Sequence, residues 1–251
     1  YRGRFAEAQP LFERALAIRE RALEPEHPNV ATSLHNLAGL FRRQGRYAEA
    51  QPLSERALAI YERALGPEHP NVAASLTTLA ALFDSQGRYV QAQPLFERAL
   101  AIRERALGPE HPYVAISLNN LAGLMRAQGR YSEAQPLSER ALAIYERALG
   151  PEHPNVASGL NDLAAIFDSQ GRYAEAQPLY ERALAIRERV LGPDHPNVAI
   201  SLDNLARLFC AQSRDVEAQP LYARALVIRE RTKDLTAYTC SREPLGESGC
   251  G

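Results

Sequence analysis

The sequence predicts an all-α protein, a solenoid of antiparallel helix pairs, and three observations carry that prediction. The dipeptide Gly-Arg stands at Gly45, Gly87, Gly129 and Gly171, a constant step of 42 residues. The pair His-Pro keeps the same step, at His27, His69, His111, His153 and His195. Between these marks apolar residues recur at helical spacing, so each period reads as two helices and two turns. A unit of that kind buries its apolar face only by stacking on its neighbours. Function then has to reside in surfaces that several units build together.

Taken in order, the chain opens on a half unit, residues 1–24, in which FAEAQPLFERALAIRERAL from Phe5 to Leu23 matches the second helix of later units. Five full pairs follow over 29–232. Their first helices fall near 29–44, 71–86, 113–128, 155–170 and 197–212. The second helices fall near 47–65, 89–107, 131–149, 173–191 and 215–232. The array so read spans 1–232. From Lys233 to Gly251 the pattern gives way to a polar, non-repeat tail that is expected to be mobile. Tyr1 lies in mid-repeat with no initiating methionine, which reads as a piece of a longer protein.

Within a pair, Val30, Leu34, Leu37 and Phe41 share one face of the first helix. Ala38 sits where a larger side chain would hold two helices apart. Tyr47, Ala50, Ser54, Ala57, Leu58, Tyr61, Ala64 and Leu65 form the matching stripe of the second helix.

The helix ends are written in as well. Leu65-Gly66-Pro67 supplies a residue able to take a left-handed cap and then a proline that stops the helix. Pro70 opens the next helix at a position where its missing N–H costs nothing. The first copy has Glu24 in place of that glycine, so its turn is expected to be looser. Pro10, Pro52, Pro94, Pro136, Pro178 and Pro220 recur inside the second helices, opposite the apolar stripe. An interior proline costs about 3 kcal/mol, which predicts either a bend after the first turn or an irregular first turn.

Composition narrows the functional classes. The 251 residues carry 29 basic and 30 acidic side chains, a net charge of -1, so no global field gathers nucleic acid or an anionic membrane. The three cysteines, Cys210, Cys240 and Cys250, are irregularly spaced and late in the chain. That pattern argues against a disulfide framework or a zinc site and fits a reducing, cytoplasmic setting. No stretch has the length or apolarity of a membrane span. Five of the six histidines share one turn position, where shaping the turn is the simpler role. With no calcium-type loop and no phosphate-binding glycine loop, neither a cofactor, a metal nor an enzymatic activity is expected.

Each pair reads S-L-x-x-L-A-x-L-F-x-x-Q-G-R-Y-x-E-A-x-x-L-x-x-R-A-L-x-I, as from Ser33 to Ile60. This closely resembles the tetratricopeptide repeat. The unit is eight residues longer than the usual one of about 34, and the surplus falls in YERALGPEHP after Ile60. A long unit ending in L-G-x-x-H-P resembles the kinesin light chain type of that repeat. The resemblance covers roughly Phe5 to Arg231 and implies a right-handed superhelix whose first helices line a concave groove.

Carried onto this sequence, the resemblance sets Thr32, His35, Asn36, Gly39, Arg42 and Arg43 at the groove, with their counterparts in later repeats. The candidate contacts are His35, Asn36, Arg42, Arg43, Thr78, Asp84, Asn119, Asn120, Arg126, Asn161, Asp162, Asp168, Asp203, Asn204 and Arg207. Asn36, Asn120 and Asn204 match the place where related arrays use an amide to hold a bound peptide backbone; Thr78 and Asp162 interrupt that series. The small residues Gly39, Ala81, Gly123 and Ala165 leave room for a ligand or for close packing of first helices.

The function so implied is a scaffold that binds an extended peptide or partner segment in the groove. The alternative is the sensor arm of a larger signalling enzyme whose catalytic domain lies elsewhere. Partners are expected to be proteins or peptides, with neither nucleic acid nor membrane among them. Unpartnered helices at both ends predict flanking repeats or end-to-end self-association.

Overall fold

A computed structural model describes the backbone of residues 2–240 and side chains over 7–231. Eleven α-helices and no strand are found among the described residues: α1 Arg2–Ala22, α2 Pro28–Arg43, α3 Tyr47–Leu65, α4 Pro70–Ser85, α5 Tyr89–Leu107, α6 Pro112–Ala127, α7 Tyr131–Leu149, α8 Pro154–Ser169, α9 Tyr173–Leu191, α10 Pro196–Ala211 and α11 Asp215–Cys240. They form two compact units, one up to Ala148 and one from Leu149. The last helix runs to Cys240, past the expected end near 232. Cys250 and residues 241–251 lie outside the described residues.

Every first helix begins with the same device. His27, His69, His111, His153 and His195 are extended N-cap residues, and each Nδ1 accepts the backbone N–H two residues on at 3.1 Å. Proline at the next position has no N–H to lose, so histidine and proline together settle the start of the helix. The second helices end at Gly66, Gly108, Gly150 and Gly192, all with φ of 85° or 86°. Glu24 does not follow them into the left-handed region. Instead α1 stops one residue earlier, at Ala22, and the turn re-forms around that shorter end.

The short turn within each pair is fastened by its arginine. Arg46 lies over the ring of Phe41 at 4.2 Å, holds Glu49 through two hydrogen bonds, and donates to Gln9 of the preceding repeat at 2.7 Å. Arg88 and Gln51, Arg130 and Gln93, and Arg214 and Gln177 repeat that bridge at 2.9 to 3.0 Å. Outside, the Glu-Arg sequences expected to be a solvated face pair from repeat to repeat, as in Arg56 with Glu20, Arg98 with Glu62 and Arg224 with Glu188. Exposed pairs of this kind contribute roughly 0 to 1 kcal/mol each.

Of the two disturbances expected at the six inner prolines, a break of the first turn is not seen among the described residues. Each second helix is continuous through its proline from its first turn. Pro52 is exposed, and so is Ala48, whose carbonyl the missing N–H leaves open to water.

Val30, Leu34, Leu37, Ala38 and Phe41 are buried as the pattern predicts. The second helix departs from it: Ala64 is exposed while Ile60, outside the predicted stripe, is fully buried. Ile60 packs in one cluster with Leu34, Val72, Leu76 and Ile102, so it seals the layer between successive pairs. The second helix is apolar on two flanks, one toward its own partner and one toward the next repeat. In α1, Ile18 holds the place of Ile60 but is 56% exposed.

A second regularity has a period of two repeats. The position of Tyr61 alternates up to the fifth copy, Arg19, Tyr61, Arg103, Tyr145, Arg187, and Arg229 ends the alternation. The arginines reach forward, Arg19 to Ser33 at 2.7 Å, Arg103 to Ser117 at 2.5 Å and Arg187 to Ser201 at 2.8 Å. Tyr61 reaches back instead, its hydroxyl 2.9 Å from that of Thr32. Ser75, which follows Tyr61, is therefore a buried hydroxyl without a partner among the described residues.

Candidate functional site

In the first unit α2, α4 and α6 follow one another in contact. Thr78 Oγ1 lies 3.5 Å from His35 Nε2 and ties α4 to α2. Burial lowers the pKa of His35, which favours a neutral ring there. Around this pair opens a cleft of about 320 Å³, lined by Phe12, His35, Asn36, Gly39, Leu40, Arg42, Arg43 and Thr78. Five candidates from the sequence thus meet at one place.

The cleft carries cationic groups that nothing neutralises by a direct ion pair among the described residues. Arg42 is half-buried, Arg43 is exposed, and Arg42 Nε is buried without a hydrogen-bond partner. On α4, Asp84 is half-buried. Burial raises its pKa, and the positive charges of Arg126 and Arg42 partly offset that rise. Arg42, Asp84 and Arg126 thus stand at the same register of α2, α4 and α6.

Beside the charges stand amides. Asn36 is exposed and Asn120 half-exposed, in matching positions of α2 and α6, and neither side chain hydrogen-bonds to another described residue. An amide offers a donor and an acceptor together, which suits a peptide backbone. Asn119 occupies the column of His35 and is half-buried. A Cβ built on Gly39 or Gly123 meets nothing within 4 Å. These glycines therefore answer no need of packing, and the space above them is open.

In the second unit most of the candidate residues are engaged by other residues of the fold. Asn161 is 7% exposed, donates to the Ala157 carbonyl at 2.9 Å and receives Asn204 at 3.4 Å. Asp168 is buried beneath Arg207, their ion pair 2.7 Å long. Burial works against the Arg207 charge, but Asp168 and Tyr180 outweigh it and hold the pKa above its ordinary value. Asp203 pairs with Arg229. Asp162 remains exposed at the surface.

Phe12 and Leu40 are the cleft residues that the sequence reading missed. Leu40 was hidden by its apolar type. Phe12 was legible in the alternation Phe12, Ser54, Phe96, Ser138, which marks the position as one where repeats differ. Elsewhere among the described residues, no group of three or more His, Cys, Asp or Glu is placed to hold a metal ion, and no helix is long and apolar enough to cross a membrane.

Comparison with known proteins adds a relationship to this geometry. The sequence model of the tetratricopeptide repeat matches residues 1–63, 33–105, 85–147, 114–188 and 160–231. Among solved structures, a Podosopora anserina protein described as a kinesin light chain with nearly identical TPR-like repeats is 33% identical. Its TM-score is 0.68, over 83% of this chain and 98% of that one. BtubC (BKLC) of P. vanneervenii is 26% identical with a TM-score of 0.71, over 96% of both chains. Nephrocystin-3 of Xenopus laevis and of Mus musculus are each 51% identical over 39 residues, 16% of this chain but 3% of the length of those relatives.

Proposed function

This chain belongs to the tetratricopeptide repeat family, of the kinesin light chain-like kind, and from that premise we propose that it is a protein-interaction scaffold whose first unit grips an extended partner segment. The observation that carries this reading is the cleft of Asn36, Arg42, Arg43 and Thr78, together with amides and guanidinium groups that the fold leaves unused. Outside it, Arg56 and Arg98 pair with carboxylates of the preceding repeat, and Arg103 donates to a hydroxyl. No feature of the described residues favours a sensor arm of a signalling enzyme over a scaffold.

The test is capture from a cell lysate by the wild-type chain and by an Arg42→Ala, Arg43→Ala, Arg126→Ala variant, with helicity checked by circular dichroism. Capture is expected to drop strongly while the helices persist. Equal capture by both proteins would move the site to the outer face or to an end. At that end, exposed Leu11 and Ile18 on α1 support association with a further first-type helix, from flanking repeats or a second copy. Light scattering of the isolated chain separates the two.

A further inference from the structure

The first unit carries one recognition element twice. Asn36, Gly39 and Arg42 stand at steps of three on α2, and Asn120, Gly123 and Arg126 repeat the same triplet on α6, 84 residues later. Between them α4 offers Thr78, Ala81 and Asp84 at the same register. The charges facing a ligand therefore alternate, positive, negative, positive, from one first helix to the next. Neither Arg42 nor Arg126 closes an ion pair with another described residue. In the second unit Arg207 is drawn onto Asp168, so the alternation is not offered there in the same form.

Helices packed side by side have axes roughly 8–10 Å apart. A polyproline II strand advances about 3.1 Å per residue with three residues per turn, roughly 9 Å per turn. Its residues i, i+3 and i+6 thus face one way at about the step that packed helices keep, and α2 touches α4 as α4 touches α6. A β-strand, with side chains alternating at every residue, turns residues three apart to opposite faces. The polyproline II backbone also makes no internal hydrogen bonds, leaving its carbonyls free for the amides of Asn36 and Asn120. Open space over Gly39 and Gly123 admits that backbone close to the helices.

We propose that the first unit recognises a polyproline II segment of the pattern acidic-x-x-basic-x-x-acidic, its end carboxylates on Arg42 and Arg126 and its central cation on Asp84. This rests on the groove reading above and goes beyond it in naming the conformation and charge order of the ligand. Arg43 adds a second guanidinium at the end that carries Phe12, so that end holds its carboxylate the more strongly.

The probes are acetylated, amidated and fluorescently labelled heptapeptides, read by fluorescence anisotropy on the full chain at low salt. Glu-Ala-Pro-Lys-Ala-Pro-Glu is expected to bind at least tenfold tighter than Lys-Ala-Pro-Glu-Ala-Pro-Lys. It should also exceed a peptide of the same composition with its lysine moved next to one glutamate. Arg126→Glu, a change at an exposed position, should shift preference to a peptide with one terminal glutamate replaced by lysine, and Asp84→Lys to one with a central glutamate. Equal affinity for all orders of charge, or no binding of any, overturns the proposal. If in that case the triple arginine variant still loses lysate capture, the groove reading stands and only the charge register falls.

Discussion

Arg103 is buried at 8% exposure and donates to Ser117 Oγ at 2.5 Å. Burial lowers its pKa, so this hydroxyl serves a charge largely withdrawn from water. Ser75 has the same place in the preceding pair but follows Tyr61 and has no donor to serve. Ser117→Ala is therefore expected to destabilise the chain by about 1.5–3 kcal/mol. Ser75→Ala, which removes an unsatisfied hydroxyl, should be neutral or stabilising. Urea unfolding of the two variants makes the comparison, and equal losses would refute it.

The histidine caps predict a graded response to substitution. His111→Ala should cost about 1 kcal/mol, as loss of an N-cap acceptor usually does. His111→Asn supplies another acceptor and should recover most of it. Thermal melts suffice, and an asparagine variant no better than alanine would remove the capping role.

Ser213 has φ of 60°, at the position that Gly45, Gly87, Gly129 and Gly171 fill elsewhere. A side chain in that region costs roughly 1–2 kcal/mol, partly returned through the unfolded chain. Ser213→Gly should accordingly stabilise the chain by about 0.5–1 kcal/mol in urea unfolding.

Asp84 makes a pH-dependent contribution whose sign is set by burial. Its folded-state pKa is raised, so over the window from the ordinary value near 3.9 upward the folded chain binds more protons than the unfolded one. Stability from this group is present below that window and is lost as pH rises through the folded pKa. Asp84→Asn should flatten that slope. Arg126→Ala, by removing an offsetting charge, should carry the window to higher pH. Titrated urea midpoints between pH 3 and 7 would test both shifts, where ~3 and ~7 simply bracket the carboxylate range.

Gly39 and Gly123 sit mid-helix where a Cβ meets nothing. Alanine at each should raise stability by up to about 1 kcal/mol and weaken peptide capture by filling the space above α2 and α6. Gain of stability with unaltered capture would show that the ligand does not pass there.

Sequence by itself determined the helix pairs, their 42-residue step, the caps and the alternation of Arg42, Asp84 and Arg126. Each of these is local, or is copied at a fixed interval, and both kinds of regularity survive in one dimension. Tertiary structure alone decided which copies of a residue are available to a ligand. Asn36 and Asn204 hold the same place in the repeat, yet the amide of Asn36 is exposed while that of Asn204 donates to Asn161. Arg126 closes no ion pair with another described residue, while Arg207 is held by Asp168, 39 residues before it. The availability of a polar group depends on what the neighbouring layer places within about 3 Å of it, and a neighbour one repeat away in sequence becomes a neighbour in space only once the pairs have stacked.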